Sequence, residues 1–140
     1  MRIVSGLGLV LAACGLTYGV QVAAHHSTAE FNYAETVHLE GVIKEVQWTN
    51  PHSYIQVLVP DGRGGTDQWG IEIGAPAINL SMGWRRDSVK AGDRVTLNVV
   101  PARNGTNYGS LRYLTYEDGR RLNGVAANVR SDADGNAVFR

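Results

Sequence analysis

The chain has 140 residues, carries 13 basic and 13 acidic side chains for a formal net charge of zero, and holds a single cysteine. That balance argues against a nucleic-acid binder, which needs a basic stripe. One cysteine rules out a disulfide framework within the chain and a multi-thiolate metal site.

Residues 1–24 read as a secretory signal peptide. Arg2 is a minimal positive n-region, Ile3 to Val20 is an apolar stretch, and Val22-Ala23-Ala24 supplies the small residues that a signal peptidase prefers. Cleavage after Ala24 makes His25 the mature N-terminus. The rival reading is a lipobox at Leu11-Ala12-Ala13-Cys14-Gly15, with Cys14 lipidated and the chain anchored as a lipoprotein. Both routes lead out of the cytoplasm, and the pattern points to the bacterial periplasm. No membrane span is expected, because a spanning helix needs about 20 strongly apolar residues and this stretch contains Ser5, Thr17 and several glycines. What remains is one ordinary domain, divided into a mature N-terminal segment at 25–35, a β-domain at 36–123 and a flexible, polar C-terminal tail at 124–140.

From Val37 the pattern is that of short strands. Val37, Leu39, Gly41 and Ile43 alternate with polar partners, and then the phase slips so that Val42, Val46 and Trp48 share the other parity. A slip beside a glycine predicts a bulge or sharp coil in a long first strand. Asn50-Pro51 ends it, since proline cannot donate to a ladder. Ile55, Val57 and Val59 mark the inner face of a second strand, and Trp69, Ile71 and Ile73 that of a third, which leaves Glu72 facing outward. Pro76 to Met82 suits a short helix with proline in its first turn. Val95, Leu97 and Val99 mark a fourth strand, Tyr108 to Tyr116 a fifth, and Asp118-Gly119 a hairpin turn leading to Leu122. Five strands, a long kinked first one and a helix between strands three and four predict an all-β fold. Its expected form is a small OB-like barrel with the helix plugging one end, and a β-sandwich is the main alternative.

Histidine supplies the candidate metal site. His25 and His26 open the mature chain, and His52 follows Trp48-Thr49-Asn50-Pro51 at the entrance to strand two. A free α-amine and neutral imidazoles are good copper(II) donors. Two arrangements follow: the amine and ring of His25 together with a distant His52, or a local chelate from the His25 amine, the intervening amide and the His26 ring. The blander reading is a solvated terminal histidine pair and a turn-capping His52. Trp48, Asn50 and Trp84 form a second set, able to bind a sugar or another small polar ligand, against the plain alternative that Trp48 is core, Asn50-Pro51 only a turn and Trp84 a lid over the barrel end. Arg85-Arg86 beside Trp84 could stack a guanidinium on the ring. No acid pair, nucleophile elbow or phosphate-binding glycine loop is evident, so no catalytic residue is expected.

The motifs His25-His26-Ser27, Gly41-Val42-Ile43-Lys44-Glu45-Val46-Gln47-Trp48-Thr49-Asn50-Pro51-His52, Gly92-Asp93-Arg94-Val95-Thr96 and Pro101-Ala102-Arg103-Asn104-Gly105 resemble the exported bacterial family known as domain of unknown function 6152. The resemblance spans nearly all of the mature chain. It implies a mature start at His-His-Ser, hence cleavage after Ala24, and implies no activity. The expectation is therefore a periplasmic protein binding a small ligand or a metal ion, copper foremost. The alternative is a non-catalytic module binding an envelope protein or a glycan.

Overall fold

A computed structural model of the chain describes residues 29–138. The expected signal peptide, the lipobox at Cys14 and the terminal pair His25 and His26 lie outside the described residues. Five strands close a barrel: β1 (Val37–Gln47), β2 (Ser53–Pro60), β3 (Thr66–Ile73), β4 (Arg94–Pro101) and β5 (Tyr108–Tyr116). β1 pairs antiparallel with both β2 and β4, β4 with β5, and β2 with β3; a short parallel pairing of β3 with β5 closes the ring. A short helix, α1 (Pro76–Ser81), joins β3 to β4, and β6 (Arg121–Asn123) adds to the edge of β5. This is the expected OB-like barrel.

β1 serves two neighbours because it coils. Its first half, Val37 to Val42, pairs with β4, and its second half, Val42 to Gln47, pairs with β2, with a register shift between Ile43 and Glu45. The bulge predicted from the phase slip is therefore real and sits just past Gly41. At Gly41 the strands approach so closely that a Cβ would lie 2.5 Å from the Leu58 carbonyl oxygen and 2.7 Å from Val57 Cγ1. Alternation then does the rest: Ile43, Ile55, Val57, Ile71, Ile73, Leu97, Val99, Leu111 and Leu114 are fully buried in one core. Each such side chain is worth about 1.5–3 kcal/mol relative to exposure.

Two expectations are corrected. The helix does not plug the barrel with its own apolar residues, since Ile78 and Leu80 point outward and only Asn79 is buried, its amide donating to the Gly74 carbonyl at 2.6 Å. The plug is Trp84, just past the helix, which enters the core and donates its indole N–H to the Asn123 carbonyl at 2.8 Å. Nor is the tail a frayed end over 124–138. Ala126 is buried with Phe31, Tyr33, Val100 and Ala102 in a second apolar cluster, and β7 (Arg130–Ser131) pairs with β8 (Ala137–Val138). The polar run Ser131 to Asn136 is a hairpin turn in which Asp132 accepts from the backbone N–H groups of Asp134 and Asn136.

The second cluster forms because the two terminal segments lie together outside the barrel. Phe31 bridges to Ala102 beyond the end of β4. Arg112, on β5, clasps both segments: its guanidinium donates to the Tyr33, Ala126 and Val129 carbonyls and to Thr36 Oγ1. One guanidinium, through four hydrogen bonds, thus holds residues far apart in sequence as a cover over the outer face of β3 and β5.

Gly41→Ala is expected to destabilise the domain by about 1–3 kcal/mol, because the new methyl meets the Leu58 backbone carbonyl as well as the buried Val57 side chain. Urea unfolding followed by tryptophan fluorescence measures it; a change below about 0.5 kcal/mol would mean that β1 coils without needing the close approach.

Candidate functional site

The site lies where the cover meets the barrel. Tyr54 pairs with Glu72 across β2 and β3, and Glu72 pairs with Ser110 across β3 and β5. Glu72 is on the outer face, as its parity requires, yet only 6 % of it is exposed. Tyr108 lies across Gly70, where a Cβ would come within 3.2 Å of the ring. The missing side chain lets the phenol reach along the strand, and Tyr108 O–H donates to Glu72 Oε2 at 2.6 Å.

The other carboxylate oxygen holds His52. The first strand-to-strand turn is fixed by Thr49 Oγ1 donating to the His52 carbonyl at 2.8 Å and by Ser53 Oγ donating to the Thr49 carbonyl at 3.2 Å. The Asn50–Pro51 bond within it is cis. Ser53 N–H then donates to the Gly74 carbonyl, joining the turn to the end of β3. His52 Nδ1 comes to rest 2.7 Å from Glu72 Oε1. With Nδ1 committed as a donor, Nε2 is left as the free nitrogen of a ring that is one-third exposed.

A cavity of about 240 Å³ opens beside this pair, walled by Phe31 and Tyr33 from the N-terminal segment, Val125 and Val129 from the tail, and Ile78 from α1. Aromatic rings enclose it: Phe31 stands 5.6 Å from Tyr108, and Tyr33 meets Phe31 edge-on at 6.4 Å. The Tyr108 phenol is pushed well above its ordinary range by burial first, then by its bond to Glu72 and the carboxylate's charge. Tyr33 is raised by burial and by the Glu72 charge, partly offset by Arg112. Both phenols therefore stay protonated, and Tyr108 is a permanent donor to the carboxylate.

Of the residues expected to act, His52 takes part in this site. Trp84 is core and offers no face to a ligand. Trp48 is half-buried at the core's margin, and it, not Trp84, carries the guanidinium, with Arg86 stacked 5.8 Å from its centroid. Asn50 is exposed on the turn. Glu72, Tyr108 and Tyr33 were not expected. Glu72 reads as an outward, solvated strand residue because strand parity says nothing of what covers the outer face. The available signal was Phe31 and Tyr33, two aromatics ahead of the first strand that needed an apolar surface. Among the described residues no group of three or more His, Cys, Asp or Glu side chains is gathered, and no helix is long and apolar enough to cross a membrane.

A family model described as "Family of unknown function (DUF6152)" matches residues 14–112. No curated protein and no solved structure matches the chain.

Phenols raised above their ordinary value near 10 add stability that is complete below that pH and is lost as the pH rises through their folded-state values. The thermal midpoint should hold steady to about pH 9.5 and fall above pH 10. Tyr108→Phe should lower it at neutral pH by the loss of one hydrogen bond to a charged group, about 1.5–3 kcal/mol, and should make the alkaline fall shallower. Parallel pH profiles for the two proteins would show that Tyr108 does not carry the effect.

Proposed function

The chain belongs to the DUF6152 family, and we propose that this member is an exported periplasmic metal-binding protein whose copper(II) site joins His52 to the histidine terminus of the mature chain. The observation that carries the reading is the 2.7 Å contact of His52 Nδ1 with the buried Glu72 carboxylate. A metal-ligating histidine characteristically donates its second nitrogen to a carboxylate, which fixes the tautomer, aims the ring and raises its basicity as a ligand. Here that carboxylate is itself fixed by Tyr108.

A lone imidazole does not hold copper, and the further donors come from the start of the mature chain. Phe31 and Tyr33 wall the same cavity as His52, and His25 stands six residues before Phe31. Six residues of extended chain span at most about 20 Å, which is the length available between Phe31 and the His25 amine. Nitrogen donors of this kind favour copper(II) over the other common divalent ions. The competing reading, a glycan or envelope-protein surface on Trp48, Asn50 and Trp84, is left with a single half-buried indole that already carries Arg86.

Competition titration of copper(II) against a chromophoric chelator, using protein that begins at His25, tests the proposal. His52→Ala should weaken binding at least tenfold, and Glu72→Gln by about 10–100-fold through the loosened ring. Unchanged affinity in folded His52→Ala would overturn the joined site and leave only the local chelate of His25 and His26.

A further inference from the structure

Two buried hydroxyls beside the candidate site lack a partner. Tyr33 is 7 % exposed and Ser110 2 %, yet among the described residues neither side-chain oxygen makes a hydrogen bond. The one side-chain polar atom that is both fully enclosed and unpaired among the described residues is Asn98 Oδ1, so the Tyr33 and Ser110 oxygens are not sealed in. The open space that both residues border is the cavity of about 240 Å³. Buried polar groups are nearly always hydrogen-bonded, and two that are not, on one cavity, call for a common partner.

Charge, size and lining define that partner. Glu72 is compensated where it stands, by His52 at 2.7 Å and by the Tyr108 O–H at 2.6 Å, and among the described residues no lysine or arginine lines the cavity. The space offers no unpaired charge to an ion, so its occupant is uncharged. An apolar cavity of about 150 Å³ holds one benzene ring. At that ratio about 240 Å³ holds roughly nine or ten non-hydrogen atoms. Phe31 and Tyr33 stand edge to face at 6.4 Å, and Ile73, Ile78, Val125 and Val129 continue an apolar lining. Gly74 keeps the floor open, since a Cβ there would lie 2.8 Å from Val125 Cγ1 and 3.1 Å from Ile78 Cγ2. Ile78 lines the cavity and is still 49 % exposed, which makes this outward apolar residue of α1 the lip of the mouth.

We propose that this cavity binds a small, uncharged aromatic molecule carrying one carbonyl group, to whose oxygen Tyr33 and Ser110 donate. A carbonyl oxygen has two lone pairs, one for each hydroxyl. The ring takes the apolar wall and the two O–H groups fix its orientation, the division between an apolar pocket and a few placed polar groups that small-molecule sites use. The site does not rest on the metal reading: it uses the cavity wall and two hydroxyls, whereas copper(II) uses a nitrogen of His52.

An NMR titration tests it, with ¹⁵N-labelled protein beginning at His25, in excess chelator. The probes are acetophenone and α-methylstyrene, which has the same shape with a methylene group in place of the carbonyl oxygen. Acetophenone should shift the amide signals of Phe31, Tyr33, Ser110 and Val129 saturably and bind about fivefold or more tighter than α-methylstyrene. In the double variant Tyr33→Phe, Ser110→Ala the preference should fall below about twofold. No saturable shift, equal affinity for the two probes, or a preference that survives in the folded double variant each overturns the proposal. Should the double variant fail to fold, Ser110→Ala alone decides: a preference cut by about half or more supports the site, and an unchanged one overturns it. Failure here leaves the metal reading standing, since neither hydroxyl is a copper donor in it.

Discussion

Everything distinctive in this molecule depends on how its barrel closes. Three residue pairs, Gly70 with Tyr108, Ile71 with Gly109 and Glu72 with Ser110, join β3 to β5 in parallel. The pairing removes the sheet edges that a small β-domain can ill tolerate. It also turns the closing seam into a scaffold. Ile71 faces the core, and its neighbours Gly70 and Glu72 face out, so Tyr108 and Glu72 meet on the outer surface with a glycine between them to make the space.

A carboxylate on an outer face would ordinarily be solvated and uninformative. Here the terminal segments cover it, and the covering is what gives it a task. Once shielded, Glu72 must be satisfied by fixed donors, and each donor is fixed in return. Tyr108 is held as a neutral phenol, and His52 is held through Nδ1 at the wall of the cavity. The imidazole is therefore oriented by the closing seam of the barrel and not by the turn that carries it. That turn is locked by Thr49 and Ser53, which act on the backbone of His52 and its neighbours and leave the ring's direction to Glu72.

The barrel was legible in the sequence because its core obeys a two-residue period, and every element placed by that period, from Val37 to Leu122, is present. The coil of β1 was legible for the same reason, as a slip in phase beside Gly41. What was not legible followed from interactions that have no period. Trp84 was legible as a lid over the barrel end, but not as a fully buried core residue, and the guanidinium expected on it stacks on Trp48 instead. Glu72 looked solvated because parity reports a face and not its cover. The segment 124–138 looked frayed because its polarity is that of a turn, and the few residues that anchor it, Val125, Ala126 and Val129, are too sparse to make a pattern. His52 stood out by type and position, but its partner lies on another strand twenty residues away, and only the fold makes that separation vanish.

The two charges of the cover are handled in opposite ways, and the contrast explains why so small a layer holds. Arg112 and Glu72 do not pair with one another. Arg112 gives its donors to three carbonyls and a hydroxyl drawn from both terminal segments, and Glu72 takes its donors from β5 and the first turn. Hydrogen bonds to charged groups are worth about 1.5–3 kcal/mol each, roughly twice their neutral counterparts. A direct pair would have consumed those groups in a single contact. Kept apart, one charge ties the cover down along β5 and the other holds a histidine at the wall of the space beneath it. The cavity walls are thus anchored to the barrel by polar bonds as well as by the buried cluster of Phe31, Tyr33, Val100, Ala102 and Ala126.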